Sequence, residues 1–321
     1  MPTSPRVAVF PRMAHAIDRD EHPPMSSYGW RLLAEGDSWF SVSALNGKGS
    51  NLINALKLYP SATVVNCAYP GDTLMRMAQM VDDPYFDRLL RHPNFQRFFE
   101  GIFLSAGGND VIDAAQVPQS IDGQVVDPSN RLLLTAEEAG MINIGVDGAV
   151  RHISESGWTK LSDYIAASLN VIINAKNQGV SIASPVMLHT YVEPVVRRAG
   201  VKLISPDAWL FKAMTLYQIN LQDDRQAITS ELFRRLRKLL LSFDQNSGNQ
   251  NAIPKVHVFD AQTASLIPAD PSHTGESGDW VNEIHPSKRG YRKLAQVMCP
   301  WIETVMHSYP AGQAYLTPVI N

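Results

Sequence analysis

The chain has little cysteine, with only Cys67 and Cys299 among its 321 residues. Two thiols can form at most one disulfide, and each lies among apolar neighbours, so we expect buried thiols and exclude a disulfide framework. Paired ligand spacings such as His-x-x-x-His or Cys-x-x-Cys are also lacking. The sequence therefore predicts no metal site.

An excess of positive charge is absent as well. The 28 Lys and Arg residues face 31 Asp and Glu residues, which gives a formal net charge of -3. Such a chain supplies no overall positive field for a phosphate backbone, so nucleic acid is not an expected partner. With 45% apolar and 18% charged residues, the composition excludes disordered and collagen-like chains and is typical of a soluble globular protein.

Long hydrophobic runs are missing too. Residues 1–24 mix charged residues with prolines and lack the unbroken apolar stretch that a signal peptide needs. No later segment approaches the roughly 18 to 20 apolar residues that span a bilayer. These absences predict a cytoplasmic protein without integral membrane association, although non-classical export stays open. The oligomeric state is not predicted.

Short apolar runs recur along the chain, at residues 31–35, 62–66, 101–105, 180–188 and 256–259. Runs with little alternation are typical of strands that are covered on both faces, so they predict a central parallel sheet. Helical patterns separate the runs; one apolar stripe is closed by Gly179, and a last helix has Ser287 as its N-cap. This alternation predicts an α/β protein with a three-layer α/β/α sandwich.

The domain organisation follows from these patterns. We expect one domain over residues 29–310, preceded by an N-terminal extension at 1–28 and followed by a tail at 311–321. Residues 111–157 are polar and rich in glycine, so we interpret them as an insertion that is a lid, a binding loop, a disordered excursion or an interface arm.

The strongest local motif is Glu35-Gly36-Asp37-Ser38-Trp39-Phe40, directly after the first strand. Open α/β sheets bind their ligands at the carboxyl ends of the strands, so Ser38 is well placed for chemistry. A serine hydroxyl is a poor nucleophile until a base takes its proton. His285, in a loop that Pro286 keeps out of the last helix, is the candidate base; its alternative role is a hydrogen bond to a helix end.

Two further turns follow the second and third strands. Gly71, in Asn66-Cys67-Ala68-Tyr69-Pro70-Gly71-Asp72-Thr73, can offer a backbone N–H group. Asn109, in Ser105-Ala106-Gly107-Gly108-Asn109-Asp110, can present its amide N–H beside glycines that let a ligand approach. Both suit an oxyanion hole. Each turn alone is a weak signal, because Gly, Asn and Asp are ordinary turn residues.

Taken in order, the four blocks resemble the SGNH hydrolases, also called the GDSL esterase and lipase family, whose blocks contribute Ser, Gly, Asn and His. The resemblance spans about residues 32–295 and implies a flavodoxin-like sandwich. It also implies that Ser38 is the nucleophile and His285 the general base, with oxyanion donors from the Ser38 N–H, the Gly71 N–H and the Asn109 side chain. The implied activity is that of a serine esterase that forms an acyl-enzyme and uses no metal or organic cofactor.

One departure from the family concerns the residue that orients the base. The last block of the family usually reads Asp-x-x-His, whereas this chain has Asn282 three residues before His285. An amide oxygen can accept from the imidazole but supplies no charge, and Asp to Asn in a serine triad costs about 10⁴ in rate. Asn282 is the favoured residue, Asp279 is the second choice and Asp260 a further one, while a backbone carbonyl would leave a Ser–His dyad.

The expected substrate is a small molecule, a carboxylic ester with a short to medium acyl chain and no charge. Trp39, Tyr69 and His189 are candidate substrate-binding residues, and packing at the edge of the core is the alternative for them. Lysophospholipids, thioesters and O-acetylated sugars are alternative substrates. A weakly active or inactive binding protein on the same fold is a second functional class, because Asn282 replaces the acid. A dinucleotide binder would need a Gly-x-Gly-x-x-Gly turn, which is lacking after the first strand.

Overall fold

A central sheet of six parallel strands organises the protein. The computed structural model describes residues 7–11, 25–41, 50–79, 84–201 and 208–309. The strands in these ranges are β1 (Val7–Pro11), β2 (Trp30–Gly36), β3 (Ala62–Asn66), β4 (Gly101–Ser105), β5 (Ser120–Ile121), β6 (Gln124–Val125), β7 (Val186–His189) and β8 (Val256–Phe259). The central sheet has the order β1-β3-β2-β4-β7-β8, and strands β5 and β6 form a separate antiparallel pair.

Strand β2 lies where the direction of the chain connections reverses. It pairs with β3 on one side and with β4 on the other, so that Leu32 faces both Val64 and Gly101. In an open α/β sheet this arrangement leaves a crevice at the carboxyl ends of the strands. The turns after β2, β3 and β4 therefore meet at one edge of the sheet.

Helices cover both faces of the sheet, which confirms the predicted three-layer sandwich. The helices are α1 (Ser38–Ser41), α2 (Leu52–Ala55), α3 (Leu74–Gln79), α4 (Pro84–Arg91), α5 (Gly108–Gln116), α6 (Ala136–Ile142), α7 (Glu155–Asn177), α8 (Leu210–Leu216), α9 (Gln222–Ser242) and α10 (Lys288–His307). Helix α10 packs with α2, and α7 packs with α3, α4 and α5. None of the helices in the described ranges is long and apolar enough to cross a membrane.

Most of the predicted element bounds agree with the structure and one does not. The runs at 62–66, 101–105 and 256–259 are strands with those limits, and Ser287 is the N-cap of α10. The strand predicted at 180–188 begins only at Val186, because Lys176 Nζ donates to the Ile182 and Ser184 carbonyls and holds a turn before it. Gly179 follows the end of α7 as predicted; a Cβ atom there would lie 1.8 Å from the Leu90 carbonyl oxygen, so close packing requires glycine.

Residues 111–157 are folded around one buried cation. The guanidinium of Arg131 pairs with Glu138 and donates to the Leu133 carbonyl at 2.7 Å. Glu138 also completes a capping box with Thr135 at the start of α6. Leu132, Leu133 and Ile153 anchor this segment to the hydrophobic core, and its functional role stays a prediction.

The predicted domain limits also stay a prediction. Strand β1, which falls within the predicted extension at 1–28, pairs along its full length with β3 at the edge of the sheet. Residues 12–24 of that extension and the predicted tail at 311–321 lie outside the described residues. Both Cys67 and Cys299 are buried, as the sequence predicts.

Candidate active site

The turn after β2 places Ser38 at the carboxyl edge of the sheet. Asp37 caps α1: its carboxylate accepts the Trp39 N–H at 2.9 Å and its carbonyl accepts the Ser41 N–H at 3.2 Å. Capping by a short acidic side chain fixes the first residue of a helix. Ser38 is that first residue, so its main chain is held rigidly where the strand ends.

Asp37 also connects this turn to two other strand ends. Its buried carboxylate accepts hydrogen bonds from Ser105 Oγ at 2.7 Å and from the Tyr191 hydroxyl. Burial raises the pKa of Asp37 to about 6, while the bonds from Tyr191, Ser105 and the Trp39 N–H act in the opposite direction. A fully bonded buried network of this kind makes the ends of β2 and β4 one rigid unit.

His285 reaches Ser38 from the loop before α10. Its Nε2 atom lies 2.7 Å from Ser38 Oγ, and its Nδ1 atom lies 3.0 Å from Asn282 Oδ1. The same Asn282 oxygen accepts the main-chain N–H groups of Ile284 at 3.2 Å and His285 at 2.9 Å. Only the oxygen of an amide can accept, so the Asn282 side chain has one orientation. It follows that Nδ1 carries the proton and Nε2 is free to accept.

The surroundings of His285 keep its imidazole neutral at pH 7. Burial lowers the pKa of His285 to about 4. The Trp209 ring meets the imidazole edge to face, with 5.5 Å between the ring centroids. Within the described ranges, the hydrogen-bond partners of the imidazole are Ser38 and Asn282, and no carboxylate is among them. The group is therefore a proton acceptor that lacks a charged partner.

The two acids that the sequence left open lie elsewhere. Asp279 is fully buried and binds Arg289 Nε at 2.5 Å, Lys293 Nζ at 2.6 Å and the Ile267 N–H at 2.7 Å. Asp260 pairs with Arg237. Both carboxylates are thus occupied by cations, and Asn282 is the residue in contact with the imidazole.

The turns after β3 and β4 are held together beside Ser38. Gly71 has a φ of 83°, a left-handed conformation that favours glycine. The Asn109 amide donates to the Asp72 carbonyl at 2.9 Å, and the Asp110 carboxylate accepts the Leu74 N–H at 3.0 Å. Because an amide carries two hydrogens, this bond orients Asn109 and leaves a second donor.

These groups line one cavity of about 230 Å³. Its lining includes the following residues: Ser38, Gly71, Asn109, Asn282, His285, Pro70, Val201, Trp209, Ile284 and Tyr291. The Ser38 hydroxyl, the neutral His285 imidazole, the Gly71 main chain and the Asn109 amide thus share one concave space. In the parts of the chain that the structure describes, no group of three or more His, Cys, Asp or Glu side chains could hold a metal ion.

The three candidate substrate-binding residues have different positions. Trp39 is 3% exposed and donates its indole N–H to the Ile284 carbonyl at 3.1 Å, so it joins the serine turn to the histidine loop. His189 is 1% exposed and stacks on Trp39. Tyr69 is exposed, and the described lining of the cavity includes its neighbour Pro70 but not Tyr69 itself. Trp39 and His189 therefore support the site from within the core.

Replacing His189 by leucine tests this structural role. Among the residues that the structure describes, the buried Nε2 atom of His189 has no hydrogen-bond partner, and an unsatisfied buried polar atom costs about 1 to 3 kcal/mol. We expect His189→Leu to change kcat/KM for ester hydrolysis by less than about threefold and to leave Tm equal or higher. Steady-state kinetics and thermal unfolding check both values. A loss of tenfold or more in kcat/KM at unchanged Tm would mean that His189 contacts the substrate.

The sequence did not reveal the role of Glu283, which lies between Asn282 and His285. Its buried carboxylate accepts the N–H groups of residues 209–211 at 2.7 to 2.9 Å, at the start of α8. Burial raises the pKa of Glu283 to about 7, and those N–H bonds oppose the shift. Glu283 thereby fixes the Trp209 segment to the histidine loop. No local pattern signals a contact across more than 70 residues.

Comparison with known proteins finds similarity in structure only. No protein-family model matches the chain, and no curated protein matches it in sequence. An extracellular lipase from Streptomyces rimosus is 12% identical, with 84% of this chain and 99% of that chain covered and a TM-score of 0.43. An aryl esterase of M. smegmatis is 15% identical (86% and 99% covered, TM-score 0.42). An acetylxylan esterase from Geobacillus stearothermophilus is also 15% identical (86% and 94% covered, TM-score 0.39).

Proposed function

We propose that the protein is a serine hydrolase that cleaves carboxylic esters through an acyl-enzyme. The observation that carries this proposal is the distance of 2.7 Å between Ser38 Oγ and His285 Nε2. A nucleophile activated by an oriented base needs this contact together with a third group that holds the base. Asn282 Oδ1, at 3.0 Å from Nδ1, serves as that group.

In the proposed mechanism, His285 Nε2 takes the Ser38 proton as Oγ attacks the ester carbonyl carbon. The carbonyl oxygen becomes an anion, and the N–H groups of Ser38, Gly71 and the Asn109 side chain stabilise it. His285 then gives its proton to the leaving alcohol oxygen as the C–O bond breaks. His285 then takes a proton from a water molecule, which attacks the carbonyl carbon of the acyl-enzyme. The bond to Ser38 Oγ breaks, Oγ regains a proton from His285, and the carboxylic acid is released.

Asn282 gives this mechanism a distinctive pH dependence. Because burial without a carboxylate partner lowers the pKa of His285 to about 4, the base stays unprotonated over most of the acid range. We expect kcat/KM of the wild type to stay level from pH 8 down to about pH 5 and to fall with a midpoint near pH 4. In Asn282→Asp the new carboxylate would raise the pKa of His285, typically by about 1 to 3 units for a close opposite charge.

The measurement is a pH profile of kcat/KM for both proteins with one neutral ester. Since a raised pKa means that His285 binds a proton at higher pH, the acid midpoint of Asn282→Asp should lie at least one unit above that of the wild type. Asn282→Ala is the control, because it removes the orienting oxygen without adding charge. Identical midpoints in wild type and Asn282→Asp would contradict the assignment of Asn282 to the base.

The direct test of the function compares wild type with Ser38→Ala. p-Nitrophenyl esters from acetate to palmitate measure serine-dependent hydrolysis, and the best chain length gives the size of the acyl pocket. A fluorophosphonate probe should label the wild type and leave Ser38→Ala unlabelled. Equal background rates and no labelling in either protein would reject the esterase and favour a binding protein without an activated serine.

A further inference from the structure

A second cavity, of about 600 Å³, lies between α2 and α10. We call it the cationic cleft. The described residues that line it are the following: Ser50, Asn54, Ala55, Lys57, Lys288, Arg292, Ala295, Gln296, Cys299, Pro300 and Glu303. Ser50 also lines the cavity that contains Ser38 and His285. The cleft and the candidate active site are therefore adjacent cavities that have Ser50 in common.

Three cations face this cleft: Lys57, Lys288 and Arg292. Among the residues that the structure describes, none of the three has an ion pair or a side-chain hydrogen bond. The carboxylate in the described lining, Glu303, accepts the Tyr59 N–H at 2.8 Å. A protein with a net charge of -3 thus gathers positive charge around one concave surface beside its candidate catalytic groups.

The cations at the start of α10 are in an electrostatically unfavourable position. Four cations, Lys288, Arg289, Arg292 and Lys293, occupy its first six positions, and the first turn has no acidic residue. A helix N-terminus carries partial positive charge and disfavours cations, and like charges four residues apart repel each other. Asp279 compensates Arg289 and Lys293, at 2.5 and 2.6 Å. Lys288 and Arg292, four residues apart on the cleft side, have no such compensation within the described chain.

We propose that the cationic cleft binds an anionic group, a carboxylate or a phosphate, of the ester whose carbonyl lies at Ser38. This inference rests on the proposed function and makes the substrate an anionic ester, in contrast to the uncharged ester that the sequence favours. A bound anion would neutralise Lys57, Lys288 and Arg292 together. It would also relieve the repulsion among the cations at the start of α10, and this relief would contribute to the free energy of binding.

Two pairs of esters test the inference on either side of the scissile bond. Mono-p-nitrophenyl adipate differs from p-nitrophenyl hexanoate by a terminal carboxylate on the acyl side. 4-Acetoxybenzoate differs from its methyl ester by a carboxylate on the alcohol side. We expect wild type to prefer the anionic member of at least one pair, and the preference to weaken with added NaCl, because salt screens exposed charges.

The variant Lys57→Gln/Lys288→Gln/Arg292→Gln should lower the anionic-to-neutral ratio of kcat/KM about tenfold. This corresponds to roughly twofold for each exposed cation. The matched control, Arg88→Gln/Arg151→Gln/Lys238→Gln, removes three exposed cations outside the cleft and changes the net charge by the same amount. Its ratio should equal that of the wild type. The inference fails if both triple variants give the wild-type ratio, or if both lose the preference equally.

A binding measurement separates this failure from failure of the proposed function. Calorimetric titration of Ser38→Ala with each ester pair reports affinity without turnover, so it decides the inference even if the protein hydrolyses no ester. Tighter binding of an anionic ester that disappears in the cleft variant supports the inference. Binding of inorganic phosphate with no discrimination between the paired esters would assign the cleft to a free anion and overturn it.

Discussion

Replacing His285 by alanine is expected to lower kcat for ester hydrolysis by about 10⁴ or more, to the rate of Ser38→Ala. In the proposed mechanism the two side chains act as one unit, because the Ser38 hydroxyl would gain its reactivity by losing a proton to Nε2, which lies at 2.7 Å. In such units single and combined replacements cost about the same. The double variant Ser38→Ala/His285→Ala should therefore be no slower than either single variant.

Steady-state kinetics on one p-nitrophenyl ester measure all three rates, and fluorophosphonate labelling reports the reactivity of the serine separately. His92→Ala is a suitable control, since His92 lies at the end of α4 and its ring contacts Phe95. A His285→Ala enzyme that keeps kcat within tenfold of the wild type would exclude His285 as the base. Thermal unfolding of each variant checks that the fold is intact.

Asn109→Ala should lower kcat by about 10² to 10³ and change KM little. Loss of one side-chain donor from an oxyanion hole has this effect, because the donor stabilises charge that forms only in the transition state. The remaining activity would come from the N–H groups of Ser38 and Gly71. The measurement is kcat and KM with a short-chain p-nitrophenyl ester.

Asn109 also has a structural bond, to the Asp72 carbonyl, so its replacement needs a matched control. Asn143 likewise donates its amide to main-chain carbonyls, those of Arg151 at 2.6 Å and Ile153 at 2.9 Å. Asn143→Ala should lower Tm comparably and leave kcat within about twofold. If Asn109→Ala behaved like Asn143→Ala, with lower Tm and unchanged kcat, Asn109 would be structural and would not be an oxyanion donor.

The sequence predicts the region of the site well, because the candidate residues directly follow recognisable strands. Parallel strands bring their carboxyl ends to one edge, so Ser38 after β2, Gly71 after β3 and Asn109 after β4 were expected to meet. They line the same cavity in the structure. His285 joins them because its loop precedes α10, whose N-cap was also recognisable in the sequence.

Sequence patterns did not predict the contacts between side chains that are far apart along the chain. Asp279 and Asn282 are both near His285 along the chain, and in the structure Arg289 and Lys293 pair with Asp279, which leaves Asn282 in contact with the imidazole. The hydrogen bond from Trp39 to Ile284 spans 245 residues. Such a pairing depends on how the layers pack, and periodicity or spacing does not encode it.

That single indole hydrogen bond has a consequence for motion. Trp39 directly follows Ser38, and Ile284 directly precedes His285. When two groups are joined in this way, their thermal displacements are correlated, and the spread of the distance between them is smaller than their separate fluctuations would give. We therefore expect Ser38 and His285 to move as a pair, which would preserve the geometry of the proposed proton transfer while the walls of the cavity adjust to a substrate.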